Sequence, residues 1–212
     1  MPLEIISIPT LLFALACYVY GSIPFAYIFT YIFKKVKLTE KGTGNIGVAN
    51  AFGIGGLKAG FLTVIGEATK AASPIIISHF LYNGELIVTL ILLTTTILGT
   101  SYSAFLRGKG GQGGTILLWS LLILSPYTFL AFMAVFVFFF FILRNRYYTS
   151  IIGHAMLPLE IFLIEGELAF VIFGAVMAVF YSVRYKPQAS DYKFYKQRMR
   201  FLRFLDRKLG EK

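Results

Sequence analysis

Charge is what this sequence has least of. Only 14% of its 212 residues are Asp, Glu, Lys or Arg, while 57% are hydrophobic and 17% aromatic. Soluble domains carry about 25% charged residues. A soluble chain of this length has no core large enough to hide so much apolar surface. A soluble enzyme, a disordered chain and a nucleic-acid-binding domain are thereby excluded, despite a net charge of +10. Cysteine is nearly absent too. The lone Cys17 sits inside the first apolar run, which rules out a disulfide framework and a cysteine-based metal site. No basic stretch precedes that run, so it is expected to remain as a span rather than leave as a signal peptide. The period-2 alternation of a membrane barrel is also missing.

What remains is a set of charge-free stretches, several of which reach the ~20 residues that cross a bilayer as a helix. The fold class expected is all-α: a polytopic integral membrane protein of about seven transmembrane helices. The spans fall near 5–33, 59–82, 86–106, 113–125, 127–143, 147–164 and 168–184. The stretch from Gly113 to Leu143 is too long for one untilted span, and Ser125-Pro126 marks a turn within it. Charge placement supports the division. Lys34, Lys35, Lys37 and Lys41 follow the first span, Arg107 and Lys109 the third, Arg144 and Arg146 the fifth. The alternate loops carry Glu85, Ser125-Pro126, and Glu165 with Glu167. The positive-inside rule then predicts an outside N-terminus and a cytoplasmic C-terminus in the cell inner (plasma) membrane.

Two regions follow: a transmembrane helical domain over 1–185 and a basic cytoplasmic tail over 186–212. In the tail, Ser190 is a predicted N-cap and Gly210 a stop. Tyr195, Met199, Leu202, Leu205 and Leu209 recur at helical spacing among Lys and Arg. A basic amphipathic helix of this kind lies in the headgroup plane, with membrane lipids as its partners.

The topology brings two glycine-rich loops to one membrane face. The first runs from Gly42 to Gly47 as G-T-G-N-I-G and the second from Gly108 to Gly114 as G-K-G-G-Q-G-G. Neither is a nucleotide fingerprint: no strand precedes the first, and the second lacks G-K-S/T. Glycine lets successive backbone N–H groups point into one concavity, and each loop leads into a helix N-terminus, so two phosphates can sit side by side. The competing reading is that these glycines only permit tight loops and close helix packing. Glu67 and Lys70 share a helix face within a span, as a functional pair or as a buried structural one. His79 and His154 are expected to be packed or at the surface. Neither H-x-x-x-x-D nor D-G-x-x-A-R occurs, which argues against two other classes of glycerolipid enzyme.

One order of motifs runs through the first half of the chain. Gly21-Ser22-Ile23-Pro24 comes first, followed by G-T-G-N-I-G-V-A-N ending at Asn50 and by Ile54-Gly55-Gly56. After these come E-A-T-K from Glu67 to Lys70, Leu98-Gly99, and G-K-G-G-Q-G from Gly108. This order resembles the bacterial acyl-phosphate-dependent glycerol-3-phosphate acyltransferases, the PlsY family, over about Tyr20 to Thr115. The family's patterns read G-S-I, G-S-G-N-x-G-A-T-N, D-x-x-K-G, L-G-H and F-K-G-G-K-G. The resemblance implies transfer of a fatty acyl group from acyl phosphate to glycerol 3-phosphate, yielding lysophosphatidic acid for phospholipid biosynthesis, with no cofactor and no metal. It implies catalytic roles for Thr43 and Lys109. It also implies substrate or phosphate contacts from Ser22, Gly42, Gly44, Asn45, Asn50, Gly110, Gly111, Gln112 and Gly113.

The departures are specific. Thr43 replaces the family's serine, Gly53 an arginine, Thr100 a histidine and Gln112 a lysine, while the closing H-R-E-N gives way to Val183-Arg184-Tyr185-Lys186. Each lost cation removes a charge-assisted contact to phosphate. The alternatives are an altered paralogue with another acceptor or a lipid-phosphate-binding, regulatory role, and a small anionic-solute transporter. Inverted hydropathy repeats, which would favour a transporter, are not seen.

Overall fold

A computed structural model describes residues 7–185, and every regular element among them is helical. Eight main helices occur: α1 (Ile8–Gly21), α2 (Phe25–Lys34), α3 (Leu57–Leu81), α4 (Leu86–Ser101), α5 (Gly114–Leu124), α6 (Pro126–Leu143), α7 (Arg146–Ile164) and α8 (Leu168–Arg184). A short turn, Val48–Asn50, and a π-helical turn, Ala51–Gly55, lead into α3. The amphipathic helix expected in the tail lies outside the described residues.

Five stretches are long and apolar enough to cross a membrane: Ile8–Lys34, Leu57–Leu81, Leu86–Leu106, Pro126–Leu143 and Arg146–Ile164. Gly114–Leu124 and Leu168–Arg184 are shorter apolar helices. The expected turn at Ser125-Pro126 is present. Ser125 caps α6 by accepting from the Thr128 N–H, and Pro126 occupies the first turn, where its missing N–H costs nothing. Asn145 caps α7 in the same way, its side chain accepting from Tyr147 and Tyr148.

The span expected over 5–33 is broken in two at Ser22–Pro24. Pro24 cannot donate to the helical ladder. The Thr100 hydroxyl donates to the Gly21 carbonyl at 2.8 Å, and the Ser103 hydroxyl to that of Ser22 at 2.5 Å. The break is therefore held by α4 and the turn after it. Gly21 and Gly99 allow this closeness. A Cβ on Gly21 would fall on the Thr96 carbonyl, and one on Gly99 on the Tyr18 carbonyl. Gly99→Ala should accordingly destabilise the fold by about 1–3 kcal/mol, the usual cost of forced overpacking. Thermal unfolding in detergent checks this, and an unchanged midpoint would contradict the packing described.

Polarity is arranged as a lipid solvent requires. Leu163 is 72% exposed and Val179 66%, while Thr63, Thr96 and Thr128 are fully buried between helices. Hydroxyls turn inward because an unsatisfied polar group facing hydrocarbon is costly. The main core joins α3 through α8 around Leu93, Ile97, Leu117, Leu121, Leu157 and Ile161. At one end, Ser125 donates to the Glu165 carboxylate, bringing two of the non-basic loops together.

Candidate active site

At the other end the two glycine loops meet. A Cβ on Gly111 would strike the Ile46 carbonyl, and one on Gly110 the carbonyls of Thr100 and Ser101. These two glycines are required by backbone-to-backbone contact. The Gly111 N–H is also committed, donating to the Thr100 carbonyl at 3.0 Å. Arg184 locks the second loop from outside. Its guanidinium donates to the carbonyls of Ser101 (3.1 Å), Gly110 (3.2 Å) and Gly111 (3.3 Å). It also lies 5.4 Å from the Tyr102 ring centre.

The first loop is shaped by Asn50, which is 1% exposed. Its amide donates to the carbonyls of Lys41 (3.2 Å) and Asn45 (3.0 Å), and its oxygen accepts from the Thr43 N–H. The buried Thr43 hydroxyl accepts from the Asn45 N–H at 3.3 Å. Gly42 and Gly44 adopt positive φ of 62° and 71°, the backbone region where glycine carries no Cβ penalty. The polar side chains in the loop thus hold one another.

Behind the loops opens a cleft of about 630 Å³. Asn45, Gly47, Val48 and Ala49 come to it from the first loop and its helical turn, and Gln112, Gly113, Gly114 and Thr115 from the second loop and the start of α5. The Gly114 and Thr115 N–H groups open α5, whose N-terminus brings donors and positive partial charge to this space, and the short turn Val48–Asn50 also borders it. Gly53, Glu67, Thr100, Arg146, Ser150, His154 and Tyr185 complete its polar side. Leu117, Leu118, Phe132, Met133 and Phe136 make an apolar wall, contributed by α5 and α6.

Of the residues expected at the site, Asn45, Gln112 and Gly113 line this cleft, as does Gly53, where the resemblance would place an arginine. Ser22, Gly110 and Gly111 line a separate water-sized void beside Lys70. Thr43 and Asn50 are buried within the first loop and the turn after it, and Lys109 is exposed on the second loop. The Lys70 ammonium donates to Glu67 at 3.0 Å and to the Thr100 hydroxyl at 3.4 Å, and sits 5.1 Å from the Phe25 ring centre. Glu67 reaches the cleft while Lys70, 1% exposed, stands behind it.

Three residues of α7 that the sequence reading does not place at the site border the cleft. Arg146, Ser150 and His154 are spaced four apart, so they fall on one helix face, and all three line it. His154 is packed, as expected, at 4% exposure.

Comparison with known proteins follows the same lines. The family described as "Glycerol-3-phosphate acyltransferase" matches residues 11–192. A glycerol-3-phosphate acyltransferase of Ruthia magnifica subsp. Calyptogena magnifica is 36% identical over 180 residues, covering 82% of this chain and 91% of the relative. One from Syntrophotalea carbinolica is 34% identical over 158 residues, covering 74% and 80%. Among solved structures, the glycerol 3-phosphate form of PlsY (YgiH), an integral membrane glycerol 3-phosphate acyltransferase, superposes with a TM-score of 0.73 at 24% identity. That superposition covers 83% of this chain and 88% of the other. This likeness establishes the fold.

Proposed function

Because this chain belongs to the glycerol-3-phosphate acyltransferase family, we propose that it moves a fatty acyl group from acyl phosphate to glycerol 3-phosphate, releasing lysophosphatidic acid and phosphate. The observation that carries this reading is the meeting of two glycine loops and the α5 N-terminus with an apolar wall in one cleft. Two phosphate-bearing substrates, one with a fatty chain, need both. The phosphates take the donors of Gly47 to Ala49 and of Gly114 and Thr115, with Asn45, Gln112 and Arg146 beside them. The acyl chain lies along Leu117, Phe132 and Phe136.

In the reaction, the acceptor hydroxyl oxygen attacks the acyl carbonyl carbon and the bond from that carbon to the phosphate oxygen breaks. Acyl phosphate is already activated, so alignment and charge stabilisation supply much of the rate. Thr43 and Asn50 act through the shape of the first loop, Gly110 and Gly111 through its fit to the second, and Lys109 as a charge at the rim. The test is purified protein given acyl phosphate and glycerol 3-phosphate. Lysolipid and phosphate should appear in equal amounts. Phosphate release without lysolipid would point to another acceptor.

We further propose seven crossings of the plasma membrane in one domain over 1–185, with a basic tail at 186–212 and the cleft facing the cytoplasm. The support is that the loops bearing Lys41, Lys109 and Arg146 gather around one cleft, as the positive-inside rule asks. In a Cys17→Ala background, Lys37→Cys should be shielded from an impermeant thiol reagent in intact cells, and Glu167→Cys should react. The reverse pattern would invert the topology.

A further inference from the structure

We propose that Arg184 is a positioning residue for the acyl phosphate: by holding two carbonyls of the second glycine loop from behind, it turns the loop's free N–H groups into the cleft. The proposal rests on the acyl-transfer reading above. Arg184 ends α8 and does not itself line the cleft. One nitrogen of its guanidinium, Nη2, donates to the carbonyls of Gly110 and Gly111, two successive residues of the loop. The same nitrogen donates to the carbonyl of Ser101, the last residue of α4. The closing carbonyls of a helix lack intrahelical donors and carry negative partial charge, so a cation is well placed there. The Tyr102 ring, its centre 5.4 Å from the guanidinium carbon, holds the charged group from one side.

Peptide geometry carries this hold through to the other side of the loop. In a planar trans unit the C=O and the following N–H point in opposite directions. Two successive carbonyls drawn to Arg184 therefore send the N–H groups of Gly111 and Gln112 away from it together. The first of them shows where that direction leads: the Gly111 N–H reaches the carbonyl of Thr100, a residue that lines the cleft. Gln112 lines the cleft as well, followed by Gly113 and Gly114. Among the described residues, the Gln112 and Gly113 N–H groups have no acceptor. Successive free N–H groups on one side of a loop form a concavity that holds an anion. Gly113, at φ of 74°, occupies the left-handed region that glycine enters without penalty. A loop so rich in glycine has little side-chain packing to keep it in one conformation, and ordering it costs entropy. Arg184 supplies the order from outside, with a charge that no accessible pH removes.

The experiment compares the full-length wild type, Arg184→Met, Arg184→Lys and Lys58→Met in detergent, following lysolipid against acyl phosphate at saturating glycerol 3-phosphate. For Arg184→Met, KM for acyl phosphate should rise about 10–100-fold, the scale of one hydrogen bond to a charged group, with kcat little changed. The inhibition constant of inorganic phosphate should rise in parallel, because the same N–H groups hold it. Arg184→Lys keeps a cation and three donors on one nitrogen, and should recover part of the loss. Lys58→Met removes a charge from the exposed start of α3 and should behave as wild type. An Arg184→Met enzyme with both constants unchanged, or one that loses only kcat, would overturn the proposal. Should the methionine variant fail to fold, Arg184→Gln decides: it keeps an amide donor and loses the charge. Raised constants in it support the clamp, and wild-type constants overturn it. Phosphate is also read without turnover. Inorganic phosphate should raise the thermal midpoint of the wild type and raise that of the arginine variant far less, whereas equal rises count against the clamp. A wild type that shows this difference yet makes no lysolipid would sink the acyl-transfer reading and leave the clamp standing.

Discussion

Lys70→Met is expected to destabilise the protein by about 3–5 kcal/mol, the scale for removing one partner of a buried ion pair. The ammonium is 1% exposed and holds Glu67 at 3.0 Å, the Thr100 hydroxyl at 3.4 Å and the face of Phe25. Without it the Glu67 carboxylate keeps its burial and loses its counter-charge. Thr100 is also the residue whose hydroxyl ties the broken first span to α4, so the loss reaches beyond the pair. Glu67→Leu combined with Lys70→Met should recover much of the stability, because no buried charge is then left alone. Denaturation midpoints of the two single variants and the double variant measure this. A Lys70→Met protein as stable as wild type would show that the pair is not coupled in the folded state.

Gly53→Arg with Gln112→Lys should tighten binding of glycerol 3-phosphate by roughly 10²–10⁴-fold. Each restored cation contributes about 1.5–3 kcal/mol as a hydrogen bond from a charged group, and ~1.4 kcal/mol corresponds to tenfold. Both positions line the cleft, so side chains placed there have somewhere to act. The wild type is correspondingly expected to need a high acceptor concentration. Titration of acceptor at saturating acyl phosphate reads the effect as a lowered KM. An unchanged KM would mean that the phosphate is held elsewhere in the cleft, with Arg146 the cation best placed to do so.

Sequence patterning located the helix breaks wherever the signal was local. Ser125-Pro126 is an N-cap followed by a first-turn proline, and both features act within four residues. The break at Pro24 was not legible because proline is tolerated in spans whose freed carbonyls find partners elsewhere. Here those partners, Thr100 and Ser103, lie about eighty residues away. The two glycine loops meet in the structure, but their glycines divide into two kinds that composition cannot separate. Gly110 and Gly111 are there for contact with other backbone, and Gly113 lines the cleft. Asn50 and Thr43 turned inward for a similar reason: a loop needs internal acceptors and donors before it can offer any to a ligand. The repeat of Arg146, Ser150 and His154 at every fourth residue was a readable signal, hidden by assigning the arginine to topology alone.

The close approaches of Gly21 to Thr96 and of Gly99 to Tyr18 also set a schedule for synthesis. The partners are 75 and 81 positions apart, and the Thr100 and Ser103 hydroxyls that hold the first break are made later still. At translation rates of about 5–20 residues per second, the first hydrophobic segment waits roughly 4–16 s before α4 exists to receive it. During that interval the kinked segment stands in the bilayer with its contacts to α4 unmade. The amino-terminal third of this enzyme is therefore the part most dependent on insertion machinery or neighbouring lipid to shelter it until the ribosome has delivered its mate.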